Sequence, residues 1–440
     1  MNQKIPQEGI SAKPLPEQLE DKSSKYSRII TNCPFFYGWV IIVAGTLGAL
    51  MTTPGQTVGV SVFIDSIIND LKVSRSTVAL MYALGTLAGS FLLTFVGRLI
   101  DHRGPRHAVI IIASLFALAC VWMGFVNSPI TLAIGFVLIR SLGQGSLSLV
   151  SLNVIHIWFV KRRSLAVGIS SIGFALGVIL FPPLIEFLIS RFDWRSAYII
   201  LGCLVALTIL PIGALFFRER PEVYGLQPDG KQESAPNYVL EENNFTLTQA
   251  LRTLTFWLFS GGDFLVAAFG TGLLFHHYSI IAEVGVNREL ATLIFVPLGI
   301  VSVGSNLLTG FLLSRVEPRW LLSIVLILLA TSMAIATQTI NLYSILIYGC
   351  LLGLMQGMKG VLSSSVYAHY FGRLHIGTIQ GLVITISVAG TALGPYIFAF
   401  GLDEFGSYKP VLLISALAPL ALAIVAPWLK LIQKSFTTSL

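Results

Sequence analysis

Three ionisable residues stand inside long apolar blocks of this 440-residue chain: Arg140, Asp263 and Lys359. A charge at depth in a bilayer costs several kcal/mol unless paired or hydrated, so such residues mark places where ions, protons or charged solutes are handled. With about 1.5 Å of rise per helical residue, Asp263 falls roughly 14 Å and Lys359 roughly 18 Å from the same end of their blocks. Equal depth predicts an ion pair. In such a pair Lys359 receives an anionic substrate, while Asp263, on taking a proton, releases it and couples transport to a proton gradient. A pair that only anchors two helices would use the same residues. Arg140, roughly 28 Å from that end of its block, either attracts an anion from the opposite face or hydrogen-bonds backbone carbonyls of the first two spans. Gln144, Asn306 and Gln356 are the neutral polar candidates for the same cavity, with Asn153 beside them; helix-to-helix hydrogen bonds are the commoner use of such groups. The adjacent His276 and His277 point about 100° apart on a helix, so they cannot share one metal as an i, i+4 pair would. One of them facing the cavity near the outer end of span 7 and an interfacial histidine are the two readings.

The elements that must position these residues follow from composition. Lys and Arg number 28 and Asp and Glu 21, which makes 11% charged residues, against roughly 25% in a soluble protein. The apolar fraction is 55%, gathered in uncharged blocks such as residues 37–64. A hydrocarbon core roughly 30 Å thick takes about 20 helical residues per crossing. The blocks place twelve spans near 38–64, 77–100, 107–126, 131–159, 164–190, 194–217, 254–281, 290–313, 320–339, 342–371, 376–402 and 410–430. A membrane barrel would instead alternate over about 10 residues. The expected fold is an all-α membrane protein of twelve transmembrane helices in two pseudo-symmetric six-helix bundles. Its parts are a tail over 1–36, a bundle over 37–217, a loop over 218–253, a second bundle over 254–432 and a short tail over 433–440. The first 35 residues are polar, without the apolar core of a signal peptide.

Basic residues set the orientation. With the N-terminus inside, 20 of the 28 Lys and Arg fall on the cytoplasmic side and 6 on the other, so both termini are expected in the cytoplasm, in the plasma membrane or a bacterial inner membrane. Their dispersal among short loops argues against nucleic acid as the partner behind the net charge of +7. Cys33, Cys120, Cys203 and Cys350 stand far apart, so neither a disulfide framework nor a metal site is expected, and no cofactor.

The chain also repeats itself. Gly97-Arg-Leu-Ile-Asp101-His-Arg-Gly-Pro105-Arg106 after the second span recurs 213 residues later as Gly310-Phe-Leu-Leu-Ser314-Arg-Val-Glu-Pro318-Arg319. Gln144-Gly145 matches Gln356-Gly357, and Trp158-Phe159 matches Tyr370-Phe371, at a spacing of 212. Two related halves of six spans rock about a site at the midplane. Gly168, Gly173, Gly177 and Pro182-Pro183 in span 5 have counterparts in Gly381, Gly390 and Gly394-Pro395 in span 11. Small faces with a kink predict that these two spans form either the moving contact between halves or a static close packing.

Gly97-x-Leu99-x-Asp101-x-x-Gly104-x-Arg106 resembles the loop motif of the major facilitator superfamily, and Arg140-x-x-Gly143-x-Gly145 resembles its second motif. The resemblance covers the whole chain and implies a gate at the inner surface built on Gly97, Asp101, Gly104 and Arg106. His102 stands where a basic residue usually follows the Asp, and Ser314 where the second copy often keeps an acid, which implies a weaker second latch. Phe36-Tyr37-Gly38-Trp39, Trp158-Phe159, Asp193-Trp194-Arg195 and Arg220-Pro-Glu-x-Tyr-Gly-Leu-x-Pro228-Asp229-Gly230 look like the monocarboxylate and oxalate/formate branch of that superfamily. Animal monocarboxylate porters carry an Asp and an Arg in span 8, where this chain has Ser302 and Asn306. Oxalate-type members carry basic groups in spans 8 and 11, which here have none.

No Gly-x-Ser-x-Gly, His-Glu-x-x-His, Walker-type or Rossmann pattern occurs, so the expectation is not an enzyme but a monomeric secondary transporter. Its cargo is expected to be a small organic anion such as a monocarboxylate, with protons or a counter-anion as partner. The nearest alternative is a proton-driven exporter, which Gly390-x-x-x-Gly394-Pro395 resembles; the alternative of another class is a non-transporting receptor or sensor.

Overall fold

The computed structural model describes residues 30, 33–159, 162–230, 245–313, 315–338, 341–372 and 376–429. Nearly all of the tail over 1–36, residues 231–244 of the central loop and the whole of 433–440 lie outside them.

Twelve apolar helices are long enough to cross a bilayer, and no strand occurs among the described residues. In chain order they are α1 (Gly38–Leu71), α2 (Arg75–Ile100), α3 (His102–Met123), α4 (Pro129–Trp158), α5 (Leu165–Arg191) and α6 (Trp194–Leu215). The second half holds α7 (Leu254–Phe275), α8 (Arg288–Leu312), α9 (Pro318–Ala336), α10 (Leu342–Phe371), α11 (Thr378–Phe405) and α12 (Tyr408–Trp428). The helices form two six-helix bundles, and an even number of crossings puts both ends of the chain on one side. That side, where α1 begins, is called near here and the other far.

Most boundaries agree with the sequence to within a few residues, and the two largest differences have local causes. α1 continues to Leu71, across a single tighter turn at Thr53–Gly55. Pro54 there lacks a backbone donor, while the Thr52 and Thr53 hydroxyls donate to the carbonyls of Ala49 and Leu50. α7 stops at Phe275 because His276 turns into the bundle, its ring bonded to the Pro395 carbonyl at 2.8 Å and to the Tyr408 hydroxyl at 3.0 Å. A short helix, His277–Glu283, follows. Both histidines are buried and held by protein groups, His277 by the Ala291 carbonyl at 2.8 Å. Neither is the interfacial side chain expected.

The glycines sort along the bundle axis. α5 meets α8, and α11 meets α2, across the interface between bundles. Gly173 and Gly177 do not mediate that contact; they press on Thr46 and Thr53 of α1, as Gly390 and Gly394 press on Phe264 and Ala268 of α7. The span 5 and span 11 glycines therefore set packing inside each bundle, while Gly299 of α8 lies against Ala175 and Ile179 of α5, across the interface. Towards the near side, Gly97, Gly168, Gly304, Gly310, Gly360 and Gly381 have open space where a Cβ would stand. The bundles touch at the far side, and the glycines with open space lie mostly, though not only, towards the near side.

A contrast within one helix tests this gradient. A Cβ at Gly394 would collide with the Ala268 carbonyl, whereas one at Gly381 meets nothing within 4 Å. Gly394→Ala is expected to lower stability by about 1–3 kcal/mol through overpacking, and Gly381→Ala to leave it unchanged or raise it by up to about 1 kcal/mol. Thermal unfolding of the purified variants in detergent measures the difference.

Candidate functional site

A cavity of about 390 Å³ lies between the bundles. Lys359 of α10 is on its wall, with Gln144 of α4 and Gln356 of α10. Lys359, Ser363 and Tyr367 recur every four residues, so they share one face of α10, and that face looks at Asp263 of α7. The Ser363 hydroxyl is 2.7 and 2.6 Å from the two Asp263 oxygens, and the Tyr367 hydroxyl donates to Oδ2 at 3.0 Å. The Lys359 ammonium stands 3.8 Å from Oδ1. The pair anticipated from equal depth is present. It is lopsided: the Asp263 side chain is 8% exposed and held by two hydroxyls, while Lys359 is 28% exposed and faces the cavity. A buried charge needs a counter-charge and hydrogen bonds, and here the carboxylate receives both while the ammonium keeps a free side.

Arg140 is not brought to that wall. It is 3% exposed, with Nε donating to the Thr86 hydroxyl at 2.9 Å and Nη1 to the Gly55 carbonyl at 3.0 Å. Its guanidinium lies 4.5 Å from the centre of the Tyr82 ring. These contacts are with α1 and α2, the bonding to the first two spans weighed above. Arg140 opens a π-helical turn over Arg140–Leu147, a feature frequent at functional sites, and it turns Gln144 towards the cavity. Gln144 Oε1 has no hydrogen-bond partner among the described residues. Asn306 is also off the cavity wall: its backbone nitrogen packs near Gly357, where α8 and α10 cross closely.

Of the gate motif, Gly104 adopts φ +75°, which a residue with a Cβ resists. That turn sets the chain against Glu219, whose carboxylate would stand 3.0 Å from an added Cβ. Gly97 stands in open space and Arg106 is exposed. The Asp101 side chain and Ser314 lie outside what is described. Around this turn the branch motifs meet. The Tyr37 hydroxyl donates to the Phe216 carbonyl at 3.0 Å, Trp158 Nε1 to the Glu219 carbonyl at 2.8 Å, and the Arg162 backbone to Asp229 at 3.1 Å. Tyr224 stacks over Trp158 at 6.5 Å, and burial pushes its phenol above the usual value. The four motifs are thus one near-side clasp joining α1, α4, α6 and the loop, apart from Asp193-Trp194-Arg195. There Asp193 caps α6 through the Ser196 nitrogen at 2.7 Å, and Arg195 pairs with Asp70 at 2.6 Å on the far side.

The far side also carries a charge cluster that sequence reasoning missed. Arg288, opening α8, reaches Asp65 of α1 at 3.0 Å, Glu186 of α5 at 2.7 Å and the Val62 carbonyl, and lies 4.4 Å from the centre of the Tyr278 ring. Asp65 takes a second arginine, Arg75 of α2, at 2.5 Å. One side chain from the second bundle is thereby strapped to two helices of the first. The signal was Glu186, an acid inside an apolar block; Arg288 and Asp65 fall just outside blocks and read as loop charges.

A sequence profile of the Major Facilitator Superfamily matches residues 45–332 and 264–437. Monocarboxylate transporter 12 of Mus musculus is 22% identical over 93% of this chain and 89% of its own length. Monocarboxylate transporter 11 of Homo sapiens is 26% identical over 73% of this chain and 68% of its own. Among solved structures, a bacterial homolog of the human lysosomal transporter Spinster, inward-facing and unoccupied, superposes with TM-score 0.64 at 21% identity, covering 89% of this chain and 95% of that one. The nucleoside transporter NupG gives TM-score 0.66 at 12% identity, covering 90% and 99%. The two-bundle fold, the repeated halves and the loop motif agree with these likenesses: this chain belongs to the major facilitator superfamily and resembles its monocarboxylate branch, a transporter and not an enzyme.

Proposed function

We propose that this protein is a secondary active transporter that moves a small organic monocarboxylate by alternating access, together with a proton or in exchange for another anion. The observation that carries the reading is the lopsided Lys359–Asp263 pair, with Lys359 on the cavity wall and Asp263 buried behind it. An entering carboxylate approaches the free side of the Lys359 ammonium and draws it away from Asp263, an exchange that charge-assisted hydrogen bonding favours. Asp263, left in a buried site without its cation, takes up a proton. When that proton leaves, the carboxylate of Asp263 reclaims Lys359 and the substrate is released. Gln144 and Gln356 supply neutral hydrogen bonds from the two halves, and the names of the monocarboxylate relatives support the same substrate class.

The near side is the cytoplasmic one in this reading, as the 20 to 6 distribution of basic residues supports, in a plasma or inner membrane. The bundles span 37–217 and 254–432, joined by the loop over 218–253. The open space towards the near side and the strapped far side then make this arrangement inward-facing, with Gly97, Asp101, Gly104 and Arg106 acting as the gate that closes when the bundles rock. Arg140 serves the same cycle by holding α1, α2 and α4 together beneath Thr57, whose hydroxyl is 2.6 Å from the Tyr82 phenol. Asn306 has no part in substrate contact in this reading; the close crossing of α8 and α10 beside it depends on Gly357.

Uptake into proteoliposomes with an imposed pH gradient, across monocarboxylates, dicarboxylates and a cationic drug, tests the proposal. Monocarboxylates are expected to accumulate on the side opposite the acidic compartment. Transport of the drug alone would replace the reading with that of an exporter.

A further inference from the structure

The two halves are repeats, so cavity positions that differ between them are free to be set by the substrate. Gly168, Gly177 and Pro182 of α5 recur 213 residues later as Gly381, Gly390 and Pro395 of α11, which fixes the register of these two helices. In that register Phe174 and Val178 of α5 correspond to Ser387 and Thr391 of α11, and all four line the cavity. One wall is apolar and its symmetry mate is hydroxylated. The charge is one-sided too: Lys359 corresponds, at the spacing of 212 that relates Gln144 to Gln356, to Leu147.

The remaining polarity is also uneven. On the first half, the Thr53 hydroxyl bonds the Leu50 carbonyl, Gln56 bonds Thr52 and Ser148, and Thr57 bonds Tyr82. On the second half, the hydroxyls of Thr271 and Ser387 and the amide of Gln356 have no hydrogen-bond partner among the described residues, and all three line the cavity. Apart from Gln144 of α4, whose Oε1 is also unpartnered among the described residues, the available hydrogen-bonding groups thus lie on the half that carries Lys359, and the α5 wall offers Phe174 and Val178.

Size narrows the occupant. At roughly 30 Å³ per water molecule, 390 Å³ holds about a dozen waters, and bonded atoms take less room each, so the cavity admits acids of a dozen heavy atoms or more. An acid of lactate size has about half that number and would leave the α5 wall facing water.

We infer that the preferred substrate is an amphipathic monocarboxylate of about ten or more heavy atoms, its carboxylate at Lys359 and an aromatic or branched apolar body against Phe174 and Val178. The inference rests on the monocarboxylate reading above and names its substrate class. A hydroxyl or oxo group beside the carboxylate falls to Gln356, one turn from Lys359 on the same helix. The α5 pair selects the body, since apolar contact of this size discriminates between substrates by roughly tenfold or more.

Calorimetric titration of the purified full chain with phenyllactate and with lactate tests this, in the wild type, in Phe174→Ser/Val178→Thr and in Lys359→Ala. The double variant carries on α5 the side chains that α11 already has. Phenyllactate is expected to bind the wild type at least tenfold more tightly than lactate. In the double variant that ratio is expected to fall below about threefold with lactate affinity unchanged, which also shows the variant to be folded. Equal affinity for both acids in the wild type, or an unchanged ratio in the double variant, overturns the substrate class. If either result comes with loss of binding in Lys359→Ala, the monocarboxylate reading itself stands. Binding of neither acid overturns both.

Discussion

Monocarboxylate uptake falls on the order of 100-fold when Lys359 is replaced by alanine, since the substrate loses its counter-charge and Asp263 is left buried without a cation. Lys359 is the one cation on the cavity wall among the described residues, so no neighbour takes over its role. Lys359→Arg restores part of the activity because it keeps the charge. Asp263→Asn behaves differently. The asparagine accepts from one of the Ser363 and Tyr367 hydroxyls through its oxygen and donates to the other through its amide nitrogen, but it has no charge to exchange with the substrate. Lys359 then stays free for the anion, so exchange of internal for external substrate continues within about threefold, while uphill accumulation driven by a pH gradient is lost. Counterflow and gradient-driven uptake, measured on the same proteoliposomes, separate the two variants. Wild-type accumulation by Asp263→Asn, or by Lys359→Ala, would remove the pair from the mechanism.

The second large effect concerns the far side. Arg288 is the side chain of the second bundle that holds α1 and α5 of the first, through Asp65, Glu186 and the Val62 carbonyl. Its own side chain is 30% exposed, so screening reduces each contact, and the set contributes about 2 kcal/mol to the far-closed state. Arg288→Met keeps the apolar stem over Tyr278 and removes the strap. The expected result is a shift of roughly 30-fold in the ratio of far-closed to far-open molecules. Spin labels at Asn69 and Glu289, both exposed and one in each bundle, report it as growth of a longer distance population. An unchanged distance distribution would show that packing of α2 on α11 and of α5 on α8 closes the far side unaided.

The sequence revealed the parts of this protein that depend on one helix at a time. Long uncharged blocks are set by the thickness of the hydrocarbon core, so the twelve spans and the repeat were legible. Depth along a helix is also a one-helix quantity, and it anticipated Asp263 opposite Lys359. What was not legible depends on rotation about the helix axis and on partners far apart in sequence. Arg140 and Gln144 both lie in α4, yet the π-helical turn between them sends one into the bundle and the other to the cavity. Gly173 and Gly394 read as a sliding surface, but each faces the neighbour inside its own bundle. Arg288, Asp65 and Glu186 are more than 100 residues apart pairwise, and two of them lie at block ends, where a charge is ordinary. Three of the four branch motifs, which read as separate signatures, turn out to be the parts of a single clasp at the near side.

The account turns on one exchange: the substrate carboxylate takes Lys359, and Asp263 takes a proton in its place. Proton uptake on substrate binding measures that directly, with a pH indicator in weakly buffered solution of the purified protein. The account predicts close to one proton taken up per carboxylate bound by the wild type, and none by Asp263→Asn at saturating substrate. Binding without proton uptake in the wild type, or the same uptake in Asp263→Asn, would contradict it.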